Sequence, residues 1–321
     1  MNILVTGGAG FIGFHVATAL AGRGDTVVVV DNLSDYYDVN LKKDRLKQLS
    51  QGITFYQLDI SDFSSLRKVF EKYRFDKVCH LAAQAGVQYS LVNPFVYHQA
   101  NNLGTLNILE LMKEFGVKDL VFASSSSVYG GNKKVPFSVT DQTDNPISLY
   151  AATKKHTENM AHVYHQLYGL NCFGLRFFTV YGPWGRPDMS LFKFTKAISE
   201  GKAIEVYNFG HHQRDFTFIT DIVDGVLKSL DLVKGFEILN LGNNNPVELM
   251  YFISCIEKEI GREAQKQFLP LQKGDVPATF ADIEHTTKVL GWKPRIKIEQ
   301  GVKEFVDWYK NYYAGEKNAA K

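Results

Sequence analysis

Six short runs rich in Val, Ile, Leu and Phe punctuate the first half of the chain: Asn2–Val5, Thr26–Val30, Ile53–Gln57, Lys77–Leu81, Leu120–Ala123 and Cys172–Phe177. None alternates apolar with polar residues, the pattern of strands covered on both faces. Helical spacing of apolar positions fills the gaps between them. This β-α-β-α order predicts right-handed crossovers and an α/β fold, a Rossmann-type doubly wound parallel sheet. Two of the helices bear on function. One is expected from Asn93 to Phe115, with Asn93 as its cap, Pro94 in the first helical position and Gly116 as its stop. The other starts at Ser148, a good N-cap, and ends before Gly169. Both carry apolar residues on more than one face.

Beyond about Phe178 the pattern breaks into shorter apolar runs interrupted by Gly, Pro, Asn and Asp, as in Tyr181-Gly182-Pro183-Trp184-Gly185-Arg186-Pro187 and Gly210-His211-His212. The expected division is residues 1–177 as a dinucleotide-binding domain and 178–321 as a smaller mixed α/β lobe for substrate. One strand of the second part, Phe236–Leu241, is expected to return to the first sheet. No internal repeat or low-complexity linker separates the two parts, so they should share a cleft. The polar, Ala/Lys-rich segment Gly315 to Lys321 is expected to fray.

Composition mainly excludes. The 321 residues are 45% hydrophobic and 22% charged, and 36 Lys+Arg against 34 Asp+Glu leave a net charge of +2. Such a balance offers no field for nucleic acid or an anionic membrane, so a bound anion needs a local site. Cys79, Cys172 and Cys255 are far apart and show no metal spacing; they point to a reducing cytoplasm, with Cys79 and Cys172 as core residues and no metal site. The chain opens directly on a strand-like run, with no basic segment ahead of an apolar one, and no secretory signal is expected. It holds no apolar stretch of about 18 residues, the length a membrane span needs.

The chemistry concentrates at the ends of the expected strands. Gly7-Gly8-Ala9-Gly10-Phe11-Ile12-Gly13 follows the first strand and opens a helix, with glycines at i, i+3 and i+6. Glycine permits the tight turn and the close approach of backbone to a pyrophosphate, which the helix N-terminus favours. Asp31, followed by Asn32, ends the second strand, where an acid takes ribose hydroxyls and disfavours a 2′-phosphate; NAD is therefore expected over NADP. Asp59 and Ile60 end the third strand, beside the adenine. The fourth ends in Leu81-Ala82-Ala83-Gln84, where small residues let a cofactor lie close. Tyr150 and Lys154 stand at i and i+4, on one helical face, so the ammonium should lower the pKa of the phenol and fit it for proton transfer. The fifth strand leads into Ser124-Ser125-Ser126-Ser127-Val128-Tyr129-Gly130, hydroxyls at the carboxyl end where open α/β sheets place their ligands.

Together the Gly7-x-x-Gly10-x-x-Gly13 turn, the serine run and Tyr150-x-x-x-Lys154 resemble the extended short-chain dehydrogenase/reductases, over almost the whole chain. More narrowly, Leu81 to Val87, Ser148 to Lys155 and Arg176 to Met189 resemble UDP-glucuronate 4-epimerases; related UDP-galactose 4-epimerases typically carry Asn where Thr179 stands. The resemblance implies that Tyr150 is the base and that Lys154 holds the nicotinamide ribose. It implies Ser125 or Ser127 at the sugar O4, with Ser127 slightly favoured, and Asn101 at the cofactor. Arg214 would clamp the substrate pyrophosphate, Asp275 the uridine ribose, and Arg186 a phosphate or carboxylate. It also implies a homodimer formed by the two long helices.

The mechanism it implies takes the O4 proton to Tyr150 as C4 gives hydride to NAD. The 4-keto sugar then turns over, and hydride returns to its other face. A 4-keto glucuronate is a β-keto acid, so the carboxylate must be held out of line with the carbonyl. Ser126, Ser127 and Thr179 are suited to do so. The similar proteins usually carry Arg where this chain has Gln88, which hydrogen-bonds without charge. UDP-N-acetylglucosamine or its uronic acid is therefore an alternative substrate. A UDP-glucuronate decarboxylase is the rival lyase, disfavoured because decarboxylases typically add a carboxylate within the serine stretch. A non-catalytic NAD-binding regulator fits poorly with an intact Tyr150 and Lys154.

Overall fold

The computed structural model describes residues 1–50 and 52–319, without the side chains of 314–319. Among the described residues are twelve strands: β1 Asn2–Thr6, β2 Thr26–Asp31, β3 Ile53–Gln57, β4 Lys77–His80, β5 Asp119–Ser125, β6 Asn171–Phe177, β7 Thr179–Tyr181, β8 Ile204–Val206, β9 Gln213–Phe218, β10 Phe236–Leu241, β11 Pro246–Glu248 and β12 Lys266–Phe268. Seven of them form a sheet in the order β10-β6-β5-β4-β1-β2-β3, and every pairing within it is parallel. The chain winds outward from β1 to β3, then crosses back to β4. Between β1 and β4 the winding reverses, and a doubly wound sheet opens its ligand crevice at that point.

The apolar runs explain the two-sided cover. Ile3 and Val5 of β1 belong to one core and Leu4 to another; Val27 and Val29 of β2 likewise separate from Val28 and Val30. Successive strand side chains point to opposite faces, and each face is covered by helices. A third core, around Phe192, Phe216, Phe252 and Phe305, fills the smaller lobe. There β11-β9-β7 and β12-β8 make two small sheets. The strand expected at Phe236–Leu241 pairs in parallel with β6 and completes the large sheet.

The long helix differs from expectation. Pro94–Tyr97 is followed by a wider π-helical turn, His98–Leu103, and only then by Gly104–Phe115. Asn93 makes no side-chain cap bond, whereas Gly116 ends the helix at φ 72°. The wide turn is held by the Thr105 hydroxyl, which donates to the Asn101 carbonyl at 2.5 Å. Such bulges often mark functional sites. The second helix, Leu149–Tyr168, is capped as expected, with the Ser148 hydroxyl accepting from the Ala151 N–H. The last helix, Ile298–Ala319, includes part of the segment expected to fray; Ala320 and Lys321 lie outside the described residues. No helix among the described residues is long and apolar enough to cross a membrane.

Candidate active site

The carboxyl ends of the parallel strands and the inner side of the smaller lobe enclose a cleft of about 470 Å³. At one end the glycine turn approaches the fourth strand closely. A Cβ on Gly7 would sit 2.7 Å from the Ala82 nitrogen, one on Gly10 2.9 Å from the Gly7 carbonyl oxygen, and one on Gly13 2.2 Å from that same oxygen. The three glycines therefore leave no space for a side chain, and their backbone borders the cleft as a pyrophosphate cradle requires. Asp31 closes this end. It accepts from the Ala9 N–H at 3.1 Å and the Leu33 N–H at 2.8 Å, which fixes the carboxylate in place. Asp59 accepts from Asn32 at 2.8 Å and from Ser61, whose bonds lower its pKa against the effect of burial. The residues present fit NAD: a glycine cradle at a helix N-terminus, an acid in place of a 2′-phosphate site, and small side chains at Ala82 and Ala83.

At the other end Tyr150 and the serines line the wall. Burial raises the pKa of Tyr150, while the Ser125 hydroxyl and the charge of Arg186 act in the opposite sense. The net shift is upward, not the depression expected from Lys154. Its ammonium is buried and donates to the Ala123 carbonyl at 2.7 Å, and desolvation lowers its own pKa to about 8. The Ser125 hydroxyl acts on the phenol and donates to that of Ser127 at 3.1 Å, and both serines line the cleft. Ser126, Ser127, Thr179 and Arg186 line the same cleft.

Arg214 and Asp275 meet in an ion pair of 2.8 Å at the mouth of the cleft. Asp215, next in β9, anchors this corner: its carboxylate accepts from the N–H groups of Asn243, Asn244 and Ala281. Two expected ligands do not line the cleft. Gln88 is exposed and donates to the Lys273 carbonyl at 3.0 Å, because its short helix, Val87–Val92, turns it outward. Asn101 is buried and fully engaged: its oxygen accepts from the Gln84 N–H at 2.8 Å, and its amide donates to Gln84 and Thr153. It holds the chain at Gln84, just past the end of β4, and does not itself line the cleft.

Several residues escaped the sequence reading. Tyr36 and Lys42 line the cleft beside Asp31. Tyr36 donates to Asp188 at 3.1 Å, and Asp188 holds the Arg186 Nε at 3.0 Å. Arg45 is wholly buried and donates to the carbonyls of Ala9 and Trp184 at 2.9 and 2.7 Å, fastening the glycine turn to the loop that carries Arg186. The paired tyrosines just beyond Asp31 were the available signal; Arg45 gave none, since arginine is usually solvated.

The comparisons agree with this geometry. Residues 3–242 match the model of the NAD dependent epimerase/dehydratase family. The chain belongs to that family. A UDP-glucuronate 4-epimerase of Thermodesulfobacterium geofontis is 50% identical over 310 residues, covering 96% of this chain and 95% of the relative. The structure of the Bacillus cereus UDP-glucuronic acid 4-epimerase in complex with UDP-glucuronic acid and NAD superposes with a TM-score of 0.91 at 33% identity, over 98% of this chain and all of the other. The Thermotoga maritima UDP-glucose 4-epimerase with UDP-glucose gives 0.90 at 32%, with the same coverage. The chain is thus similar in sequence and fold to UDP-sugar 4-epimerases, while choice of sugar rests on the side chains of the cleft.

Proposed function

We propose that this protein interconverts UDP-glucuronate and UDP-galacturonate. The observation that carries the reading is one cleft lined by Tyr150, Ser125, Ser126, Ser127, Thr179 and Arg186 together with a cradle fitted to NAD. NAD bound there would supply the hydride acceptor for C4. The chain supplies the rest. Tyr150 exchanges the O4 proton, with Ser125 orienting that hydroxyl. Lys154, charged at neutral pH, favours the ionised phenol. Arg186 spends its Nε and one amino group on Asp188, which leaves its remaining donors for an anion. Ser126, Ser127 and Thr179 hold the sugar carboxylate out of line with a C4 carbonyl. The acids lining the cleft are Asp31, Asp59 and Asp275, none of them within the serine run, and the carboxylate bonded to that run, Glu158, does not line the cleft; this supports an epimerase over a decarboxylase. Arg214 would take the pyrophosphate and Asp275 the uridine ribose, so substrate must part their ion pair.

The test is to incubate the purified protein with UDP-glucuronate and follow the sugar ring by NMR with a CO₂ trap. UDP-galacturonate without CO₂ is expected; a UDP-pentose with CO₂ overturns the reading in favour of the lyase. In parallel, Arg186→Met should weaken UDP-glucuronate binding by roughly 10- to 100-fold, the worth of a charge-assisted hydrogen bond, and leave UDP-glucose nearly unaffected. Equal losses for both sugars would remove the charge reading.

The homodimer belongs to the same proposal. Leu106 lies on Gly104–Phe115 and Val163, Leu167 and Tyr168 on Leu149–Tyr168, all exposed, and Lys113 covers the Tyr168 ring at 5.0 Å, so the two helices share one apolar face. Light scattering should give twice the chain mass, and Leu167→Glu should halve it; a wild-type monomer rejects the dimer. Three buried, unpaired cysteines support a cytoplasmic setting.

A further inference from the structure

Three consecutive residues at the end of β5 meet three residues of the Leu149–Tyr168 helix. The Ala123 carbonyl accepts from Lys154 at 2.7 Å, the Ser124 hydroxyl donates to Glu158 at 2.6 Å, and Ser125 meets Tyr150. Tyr150, Lys154 and Glu158 stand at i, i+4 and i+8, so all three lie along one helical face. We propose that Glu158 is a positioning residue for proton transfer, fixing Lys154 as a cation and registering Tyr150 against Ser125.

Glu158 lies behind the strand, outside the catalytic cleft, and is 3% exposed. Arg176, its β6 partner, is equally buried and bonds both carboxylate oxygens, through Nε at 2.8 Å and one amino group at 2.9 Å. Arg176 is also the residue opposite Ser124 in the β5–β6 register, so strand pairing itself brings arginine, serine and glutamate together. Lys155 approaches the same carboxylate at 3.6 Å, and the Tyr129 ring packs 4.8 Å from the Arg176 guanidinium. Around Lys154 the facing groups are Glu158 and Tyr150 on its own helix and His80 from β4. His80 is bonded to Thr6 and Thr105 and is held neutral by burial, its pKa lowered to about 3. The negative charge that holds the proton on Lys154 is therefore that of Glu158, opposing the desolvation that pulls its pKa down. A buried acid paired with arginine is a costly way to stabilise a fold. Its contact with the catalytic strand gives it a use.

The proposal rests on Tyr150 exchanging a proton with a UDP-sugar, and two readouts keep the questions apart. Glu158→Gln preserves shape and the bond from Ser124 but removes the charge. The midpoint of Lys154, followed by NMR of the ε-carbon and assigned with Lys154→Met, should move to lower pH in Glu158→Gln; this needs no substrate. In turnover the alkaline limb of kcat should move the same way, because the cation is lost as pH rises through the Lys154 pKa. At pH 8.5 kcat should fall about tenfold or more while KM holds, the scale of a small misplacement. Ser124→Ala should lower kcat without moving the limb. Should Glu158→Gln fold poorly, Glu158→Leu with Arg176→Met replaces the pair by apolar residues, a change buried ion pairs often tolerate; the shifted limb should persist in it. An unmoved Lys154 midpoint in folded Glu158→Gln, or wild-type kcat and pH profile in the double variant, overturns the proposal. A wild-type chain inert toward UDP-sugars overturns the substrate reading instead.

Discussion

Replacing Tyr150 with phenylalanine is expected to lower kcat by about three orders of magnitude while the fold and bound NAD survive. The substitution removes one hydroxyl and little else. The ring keeps its edge-to-face contact with Tyr97 at 6.0 Å, Lys154 keeps its bond to the Ala123 carbonyl, and the glycine cradle lies at the other end of the cleft. What disappears is the group that exchanges the O4 proton, a role worth about 10²- to 10⁴-fold. Burial raises the pKa of the phenol, so the resting protein holds it protonated. The ionised form is favoured by the charge of Arg186 and the hydroxyl of Ser125, both already in place. Sugar-ring NMR over hours measures the residual rate, and acid release of the nucleotide measures retained NAD. A variant keeping more than about a tenth of kcat would show that another group, with Ser125 nearest, carries the proton.

The parts of this site that could be read from sequence are those with a local period. The glycine turn works through spacing within one turn of chain, and Tyr150 with Lys154 through one turn of helix; both are legible without a partner. The strands were legible because burial on both faces leaves an uninterrupted apolar run, though β5 runs two residues further than its apolar core and takes Ser124 and Ser125 into the sheet. What failed depends on register between distant segments. Gln88 could be placed near the site but not turned, since the direction of a short helix is set by its packing. Asn101 gave no sign that a π-helical turn would aim it beneath Gln84. Arg214 and Asp275 were read as separate ligands, and only folding shows that they neutralise each other. Glu158 and Arg176 are hydrophilic letters in ordinary helix and strand, and their importance comes from the alignment of β5 with β6. Lys154 was expected to tune the phenol and hold the nicotinamide ribose, and nothing local showed that burial lowers its own pKa, opposed by the charge of an acid one turn further on.

Two alanine substitutions within one helix should separate the cofactor cradle from the rest of the fold. Gly13→Ala is expected to yield a protein without bound NAD and with no measurable turnover. The added Cβ would stand 2.2 Å from the Gly7 carbonyl oxygen, 2.8 Å from its carbon and 2.9 Å from the Gly8 Cα. All three are backbone atoms, so no side-chain rotation relieves the clash. Displacing Gly7 strains its N–H bond to the Val30 carbonyl at 2.7 Å and drives it toward Ala82, closing the space a pyrophosphate must enter. Overpacking of this kind costs roughly 1–3 kcal/mol, little enough for the domain to fold while its ligand site is lost. Gly22→Ala, at the far end of the Phe11–Gly22 helix, adds a Cβ with nothing within 4 Å and should raise stability by about 0.5–1 kcal/mol, with NAD content unchanged. The nucleotide released per chain, read beside the thermal midpoint, decides the matter. If Gly13→Ala carries as much NAD as the wild type, the close approach of helix to turn is not what makes the site, and the cofactor is held by Asp31 and the strand ends alone.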